Sequence, residues 1–360
     1  MIMRKGIAHL PLHGGKAPAW LFSRMTLLAR EISWILCYEF GPHEFLRKLA
    51  DPFWFQAFGC VLGFDWHSSG VTTTVCGAVK EGLKDISKEI GVFACGGKGG
   101  TSRKTPLELE ALAQKRLIDA NAEELKYASR MSAKVDNTAV QDGYQLYHHS
   151  FFVDKSGHWA VVQQGMNETT RWARRYHWLG EDLSDFVCEP HKAVCCDKKE
   201  NNVLNMVATE SNDARNMCAD LSCVRPEKIV LEYTKIADLK MARHHEVLLK
   251  DIRPENLGKI LLKTYEKQPK NFASLLDTQG VGPGTIRALA MVSEIIYGKA
   301  PSFKDPVRFS FAHGGKDGFP YPVNRERYDK SIQILRDAIS KTKIGQPEKV
   351  KAIQRLSNLM

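Results

Sequence analysis

Apolar residues recur at helical spacing near the start of the chain. After Pro18 this spacing predicts one long helix, which the Gly41-Pro42 pair ends. A second, short helix is predicted over residues 44–49. The apolar positions that define the first helix are Leu21, Met25, Leu28, Ile32 and Ile35.

Two strand–loop–helix units are predicted next. In the first, residues 58–64 form a buried apolar strand, residues 65–70 form a polar loop, and residues 73–83 form a helix. In the second, residues 90–94 form a strand and residues 95–103 form a Gly-rich basic loop. Pro106 then lies in the first turn of the first of two helical stretches, which run on to about Lys134. Both units have the order expected of an α/β structure.

The clearest strand pattern lies between Tyr144 and Gly165. Two apolar, β-branched and aromatic segments flank the turn sequence Asp154-Lys155-Ser156-Gly157, which predicts a β-hairpin.

Beyond the hairpin the sequence becomes polar and then helical. We predict an α+β protein with an α/β putative catalytic domain (1–180), a polar connecting segment (181–210) and a helical domain (211–360). Pro226, Pro254 and Pro269 separate helices in the last part. The final two helices are predicted over residues 329–339 and 347–356.

Composition and charge narrow the functional classes. The chain has 360 residues, 43% of them hydrophobic, and 51 Lys and Arg against 41 Asp and Glu, a formal charge of +10. This charge favours a polyanionic partner, DNA or possibly RNA, but scattered surface lysines explain it as readily. Nine cysteines without regular spacing argue against a disulfide framework. Since neither a signal-peptide core nor an 18-residue apolar run is present, we expect a cytoplasmic protein with no membrane partner.

A helix-hairpin-helix motif is predicted at about 268–298. Its sequence, LLDTQGVGPGTIRALAMVSEIIYG, places three glycines between two amphipathic segments. Amides of such a turn, together with the N-terminus of the second helix, bind phosphate oxygens without reading bases. The alternative is a turn that only joins two packed helices. The phosphate-binding or DNA-binding residues predicted here are Gly280, Gly282, Gly284, Thr285 and Arg287.

The triplet Gly-Gly-Lys occurs three times, and each copy puts flexible backbone beside an ammonium group. In the central copy, Lys98 and Lys104 are candidates to hold a reacting phosphate, although a solvated loop is the alternative. The outer copies each follow a histidine, which predicts two further phosphate-binding segments. Their residues are His13, Gly14, Gly15, Lys16, His313, Gly314, Gly315 and Lys316.

Acidic, histidine and glutamine side chains form a second candidate set. Asp65 and His67 follow an apolar segment, where α/β proteins place their sites, although a helix-capping Asp beside a packed His is the alternative. Asp65 and Asp142 are predicted to hold Mg²⁺ or Mn²⁺, which would activate water for attack on phosphate. Because side chains alternate along a strand, His148 and His149 should face opposite sides of the sheet. The predicted catalytic residues are Asp65, His67, Lys98, Lys104, Asp136, Asp142, His148, Gln163 and Gln164.

Two other patterns are weak. Cys188, His191, Cys195 and Cys196 have the chemistry of zinc ligands but lack a second well-spaced pair, so a polar loop is the favoured interpretation. Residues 232–235, with the sequence EYTK, resemble part of a nuclease signature in a segment that fits a helix as readily as a strand.

Several segments together resemble a known family. These are LPLHGGKAPAWLF, LGFDWHSSGVTTTV, CGGKGGTSRKTP, VVQQGMN and FSFAHGGKDGFPYPV. With them the chain resembles the archaeal and bacterial domain-of-unknown-function family 763 over nearly its whole length. The resemblance implies a shared architecture and a shared site at these loops, but no reaction.

Three functions are therefore considered. The first is a nucleic-acid-processing enzyme, a metal-dependent DNA nuclease or DNA-repair enzyme that grips backbone phosphates through the helix-hairpin-helix. The second is a DNA-binding or accessory protein without chemistry. The third is an enzyme acting on a nucleotide or another small phosphorylated compound.

Overall fold

The computed structural model describes residues 17–64, 68–196, 198–237, 252–307 and 325–357. For residues 325–329, 331 and 332 it describes the backbone only. The chain begins with helices that lie against one face of a sheet. Their bounds are α1 Ala19–Phe40, α2 Pro42–Ala50, α3 Pro52–Leu62, α4 Gly70–Leu83 and α5 Ser87–Ile90. The long helix after Pro18 and the short helix over 44–49 are thus confirmed.

The predicted strand over 58–64 is wrong, because residues 58–62 belong to helix α3 and Gly63 is its C-cap. The Asp51 side chain accepts hydrogen bonds from the amides of Phe53 and Trp54 and so caps the helix. Every residue of α3 is buried, so its sequence is apolar on all sides except at Gln56 and shows no helical periodicity. A short apolar run of this kind does not distinguish a buried strand from a buried helix.

The sheet has five antiparallel strands in the order β1-β3-β4-β5-β6. The β3–β4 pair confirms the hairpin predicted between 144 and 165. The strand predicted at 90–94 is also present but continues to Lys98, so the Gly-rich segment begins inside it. The sheet therefore contradicts the two α/β units but fits the α+β class. The strand bounds are β1 Val92–Lys98, β2 Val140–Gln141, β3 Gln145–Asp154, β4 Trp159–Asn167, β5 Trp172–Leu179, β6 Ala193–Cys195 and β7 Leu204–Asn205.

The segments between the strands carry further helices. A 3-10 helix, Gly99–Lys104, leads into α6 (Thr105–Gln114), which has Pro106 in its first turn as predicted. Helix α7 (Ala122–Lys134) continues into a π-helix, Val135–Ala139, and then into β2. β2 pairs with β7 in a separate two-stranded sheet.

The two faces of the sheet contact different hydrophobic cores. Phe152, Ala160 and Val162 face helices α1–α4, whereas Phe151 and Val161 face α7 and the later helices. This alternation is the two-residue period of a strand, and it leaves the sheet covered on both sides.

The later part of the chain is helical, as predicted. Its helices are α8 Asn212–Ser222, α9 Pro226–Ala237, α10 Pro254–Lys267, α11 Phe272–Leu276, α12 Pro283–Ile295, α13 Arg325–Lys341 and α14 Gln346–Ser357. The predicted division at residues 180 and 211 stays a prediction, but packing crosses it in two places. Residues of α8–α12 share a core with one sheet face, and Leu335 and Leu356 share the other core with α1–α4. Within the described ranges no helix is long and apolar enough to cross a membrane.

Candidate functional site

The predicted phosphate-binding hairpin consists of α11, a loop over residues 277–282, and α12. Asn271 and Ser274 form a reciprocal capping box at the start of α11. Gly280 has φ +93°, a conformation that favours glycine, and Gly282 is the N-cap of α12. Glycine has no side chain to cap the helix, and none caps this end. The first-turn amides of α12 are therefore not covered by a capping group.

The glycines of this loop face outward. Gly280 is exposed, and Gly282 and Gly284 are partly exposed. A Cβ built on Gly282 would meet nothing nearer than the Gly280 carbonyl oxygen at 4.0 Å. In contrast, Thr285 is 4% exposed, so its predicted contact with phosphate does not fit its position in the core. Arg287 is partly buried.

The segment at the end of α7 holds this loop against the rest of the protein. Arg130 Nε donates to Asp277 Oδ1 over 2.6 Å, and the Lys134 ammonium donates to carbonyls of the loop. Further along, Gln141 Nε2 donates to the Pro283 carbonyl over 3.0 Å. The hairpin is thus fixed by side chains from the sheet-containing part of the chain.

Helix α10 places a row of lysines beside the hairpin. Lys259, Lys263 and Lys267 follow one another at four-residue spacing, so they lie on one helix face, and all are exposed. Ile260 of the same helix lies 3.8 Å from the Cβ position of Gly280. In the described part of the chain no carboxylate forms a salt bridge with these three lysines. We call Lys259, Lys263 and Lys267 the lysine stripe.

A second candidate site is a polar row across the sheet. Register places Lys98 opposite His148, His148 opposite Gln164, Gln164 opposite Arg175, and Arg175 opposite Cys195. Residues directly opposite each other in antiparallel strands have side chains on the same face. This polar row therefore lies on the face covered by α3 and α4.

Hydrogen bonds link the centre of the row to α3 and α4. The Thr72 hydroxyl donates to Gln164 Oε1, and Gln164 Nε2 donates to the Ser69 carbonyl over 2.9 Å. Arg175 Nη2 donates to Gln56 Oε1 over 2.9 Å, and its guanidinium lies 4.6 Å from the centre of the Phe55 ring. Ser69 and Thr72 lie shortly after His67 in the sequence, so the row contacts the chain close to the point where the predicted Asp65–His67 loop ends.

His148 is the titratable group at the exposed end of the row. Its Nε2 lies 3.0 Å from Ser150 Oγ, while its Nδ1 has no hydrogen-bond partner among the described residues. Burial lowers the pKa of His148 to about 3, with smaller contributions from His149 and Lys98. Lys98 itself is exposed, with its ammonium 5.8 Å from the centre of the Tyr147 ring. The row therefore joins a neutral buried imidazole to a solvent-facing cation.

The opposite sheet face holds a network around Asp136. The carboxylate of Asp136 accepts hydrogen bonds from Gln163 over 2.6 Å and from Trp178 Nε1 over 2.9 Å, and it contacts His191. Burial raises the pKa of the Asp136 carboxyl, and His191 opposes this effect. His149 joins the network, with its Nδ1 2.7 Å from Gln163 Oε1. Since His148 belongs to the polar row on the other face, the two histidines face opposite sides of the sheet, as predicted.

Asp142 lies in a separate buried ion pair. Its Oδ2 accepts hydrogen bonds from Arg174 and from the Tyr176 hydroxyl, each over 2.8 Å, and Arg174 also binds Asp305. The cation beside Asp142 is thus a guanidinium, which does not fit the predicted metal role of this residue. In the part of the chain that the structure describes, no group of three His, Cys, Asp or Glu residues could hold a metal ion.

The remaining predicted residues either lie outside the described ranges or are not joined to one of these sites. Asp65, His67 and both outer Gly-Gly-Lys segments, 13–16 and 313–316, lie outside the described residues. Lys104 is exposed at the end of the 3-10 helix, and among the described residues it forms no hydrogen bond with the polar row. Residues 232–235 lie in α9, which settles their helical assignment. The zinc pattern is not gathered into a site, since His191 contacts Asp136 while Cys195 neighbours Arg175.

Several residues of these sites were not predicted from the sequence. Arg175 had a detectable signal, because two adjacent arginines interrupt the apolar strand β5. Gln56 also had one, because it is the single polar side chain in the apolar sequence of α3, whereas Lys134 occupies an ordinary helical position and had none.

Comparison with known proteins adds the family but no activity. No curated protein and no solved structure matches the chain. The sequence profile of one family, described as "Protein of unknown function (DUF763)", matches residues 6–323, so the chain belongs to this family.

Proposed function

We propose that this protein processes nucleic acid and that residues 271–295 act as a helix-hairpin-helix element that binds backbone phosphates. The observation that carries the proposal is the start of α12, where glycines leave uncapped first-turn amides beside solvent. Amides at a helix N-terminus attract anions through both hydrogen bonds and the helix dipole.

The charge beside the loop supports the same conclusion. The lysine stripe lies on the helix whose Ile260 packs against Gly280, and its ammonium groups are exposed. Backbone phosphates are spaced along the strand, so a row of cations next to one amide site would bind successive phosphates. Such contacts hold the backbone and do not read the sequence of bases.

An enzymatic activity is the second element of the proposal, and the polar row favours it. His148, whose Nδ1 has no hydrogen-bond partner among the described residues, pairs with Lys98 and with Gln164 in the sheet, and Gln164 in turn binds Ser69 and Thr72. The neutral imidazole can form a hydrogen bond to a group bound beside Lys98, but a pKa of about 3 leaves the proton-transfer role of this proposal to His67. Under this proposal Mg²⁺ or Mn²⁺ would be held chiefly through Asp65, since Asp142 is bound by Arg174. The metal would supply activation of water and neutralisation of phosphate charge.

Binding is tested with labelled single-stranded, duplex and branched DNA and single-stranded RNA by fluorescence anisotropy. The test variant is Gly282→Leu, whose side chain would project into open space in front of the amides. Gly258→Ala in α10 is the control, because its Cβ makes only an ordinary 3.7 Å contact with Val230 of α9. We expect Gly282→Leu to weaken binding at least about tenfold, equal to the loss of a hydrogen bond to a charged group. Unchanged binding by this variant would remove the hairpin from the proposal.

Cleavage is tested on the same substrates with Mg²⁺, Mn²⁺ or EDTA, using Asp65→Ala and His67→Ala as variants. Metal-dependent product that both variants lose would support a nuclease. Tight, salt-sensitive binding without product would support the accessory-protein alternative. Stabilisation by nucleotides in place of oligonucleotides would favour an enzyme acting on small phosphorylated compounds.

A further inference from the structure

The ammonium group of Lys134 lies at the centre of the hairpin loop. It donates to the backbone carbonyls of Leu276, Thr278 and Val281 over 2.6, 3.0 and 3.2 Å. A lysine ammonium has three N–H donors, and these three oxygens use all of them. The loop is therefore folded around a cation that comes from another part of the chain.

The geometry of the loop explains why a cation is needed there. The amide of Val281 already donates to the Thr278 carbonyl, and the amide of Thr278 donates to that of Leu275. The loop thus turns three carbonyl oxygens toward one point at the C-terminal end of α11, where the peptide dipoles are also negative. Without a positive charge, these dipoles would repel one another, and the carbonyl oxygens would lose the hydrogen-bond donor that Lys134 supplies in a partly buried position.

The same three oxygens have the chemistry of a monovalent metal site. Rings of backbone carbonyls replace the hydration shell of ions such as K⁺ in proteins. We propose that Leu276, Thr278 and Val281 form a monovalent-cation site that this chain fills with its own Lys134 ammonium. The internal cation keeps the glycine loop in shape and places a positive charge behind the amides of α12. The part of the inference that concerns phosphate rests on the proposed function.

Neighbouring contacts make this proposal testable without unfolding the protein. Arg130 binds Asp277 over 2.6 Å, and Gln141 binds the Pro283 carbonyl over 3.0 Å, so the hairpin remains attached when Lys134 is replaced. Lys134→Met keeps an unbranched apolar side chain that ends where the ammonium begins, and it removes the charge and the donors.

The first experiment measures the thermal unfolding midpoint at constant ionic strength in chloride salts of K⁺, Na⁺, Li⁺ or N-methylglucamine. We expect Lys134→Met to lose about 2–4 °C in N-methylglucamine and to regain part of this loss in a saturable way with K⁺ or Na⁺. The wild-type midpoint should not depend on which cation is present. The control Arg130→Met also removes a cation from the hairpin, but it leaves the carbonyl site filled and should show no cation dependence. Equal behaviour of Lys134→Met in all four salts would overturn the proposal.

The second experiment repeats the anisotropy assay with Lys134→Met in the same salts. Binding that is weakened in N-methylglucamine and recovered in K⁺ would link the cation site to phosphate binding. Binding equal to wild type in every salt would overturn that link. If the wild type itself does not bind nucleic acid, the proposed function fails, whereas the unfolding midpoints still decide whether the cation site exists.

Discussion

The guanidinium of Arg174 donates a hydrogen bond to the carboxylate of Asp305 over 2.8 Å, although the two residues are 131 positions apart. Both side chains are almost entirely buried. Arg174 also binds Asp142, so one cation in β5 joins the sheet to the segment that precedes residues 308–324. Asp142, which was predicted as a metal ligand, thus belongs with Arg174 and Asp305 to a buried cluster that joins the two halves of the chain.

Loss of the Asp305 carboxylate should destabilise the protein strongly. Asp142 would still balance the charge of Arg174, but the buried guanidinium would lose two hydrogen bonds to a charged acceptor, which together cost about 3 kcal/mol or more. We expect Asp305→Ala to reach this size in urea unfolding. Asp213→Ala is the matched control, because the Lys299–Asp213 pair is exposed and should contribute less than about 1 kcal/mol. Equal losses for the two variants would show that the buried pair has no special role.

The buried histidines should make stability fall in mild acid. Burial lowers the pKa of His148 to about 3 and that of His149 to about 4, against 6.5 in the unfolded chain. Between these values the unfolded chain binds more protons than the folded one, so stability is present above pH 6.5 and is lost as pH falls. Each histidine contributes a slope of about 1.4 kcal/mol per pH unit in this window.

Urea unfolding between pH 6.5 and 5 measures this slope, above the range where most carboxylates titrate. His148→Gln should be less sensitive to pH than the wild type by roughly the contribution of one histidine. A variant with the wild-type slope would mean that His148 is protonated in the folded state.

Local patterns predicted the β-hairpin and most helices, because these depend on neighbours in sequence. The turn Asp154–Gly157 and the alternating arms of β3 and β4 were sufficient. Helix α3 was missed because burial on every side removes the pattern that separates helix from strand.

The candidate sites were predictable only in part. His148 and Gln164 were identified singly, but their alignment with Arg175 depends on strand register and on the irregularity between Leu146 and His148. Spacing along the chain does not contain that register. The same holds for Lys134, whose carbonyl partners belong to a loop more than 140 residues later.

The backbone at Gly96 should tolerate no side chain. It has φ +80°, and a Cβ would lie 2.3 Å from the His149 carbonyl oxygen and 2.5 Å from Thr105 Oγ1. We expect Gly96→Ala to cost at least about 2 kcal/mol through strain and contact with backbone. Gly100→Ala is the control, since nothing lies within 4 Å of its Cβ position and its φ is not in the left-handed region. Both are compared by urea unfolding, and similar stabilities would contradict the described path of β1.

The lysine stripe should determine how nucleic-acid binding responds to salt. The logarithm of affinity for duplex DNA falls with the logarithm of salt concentration by about 0.9 for each phosphate contacted, because bound counterions are released. The triple variant Lys259→Gln, Lys263→Gln, Lys267→Gln should therefore bind more weakly at low salt and show a shallower salt dependence.

The control triple variant has the same change in net charge, made at exposed lysines of the sheet-containing part. Its substitutions are Lys88→Gln, Lys115→Gln and Lys155→Gln. A general effect of protein charge would change both variants alike and would contradict a localised phosphate contact. Fluorescence anisotropy measures the salt dependence of both variants over about 50 to 300 mM KCl. A shallower slope in the lysine-stripe variant alone would assign the backbone contact to α10 and the adjoining hairpin.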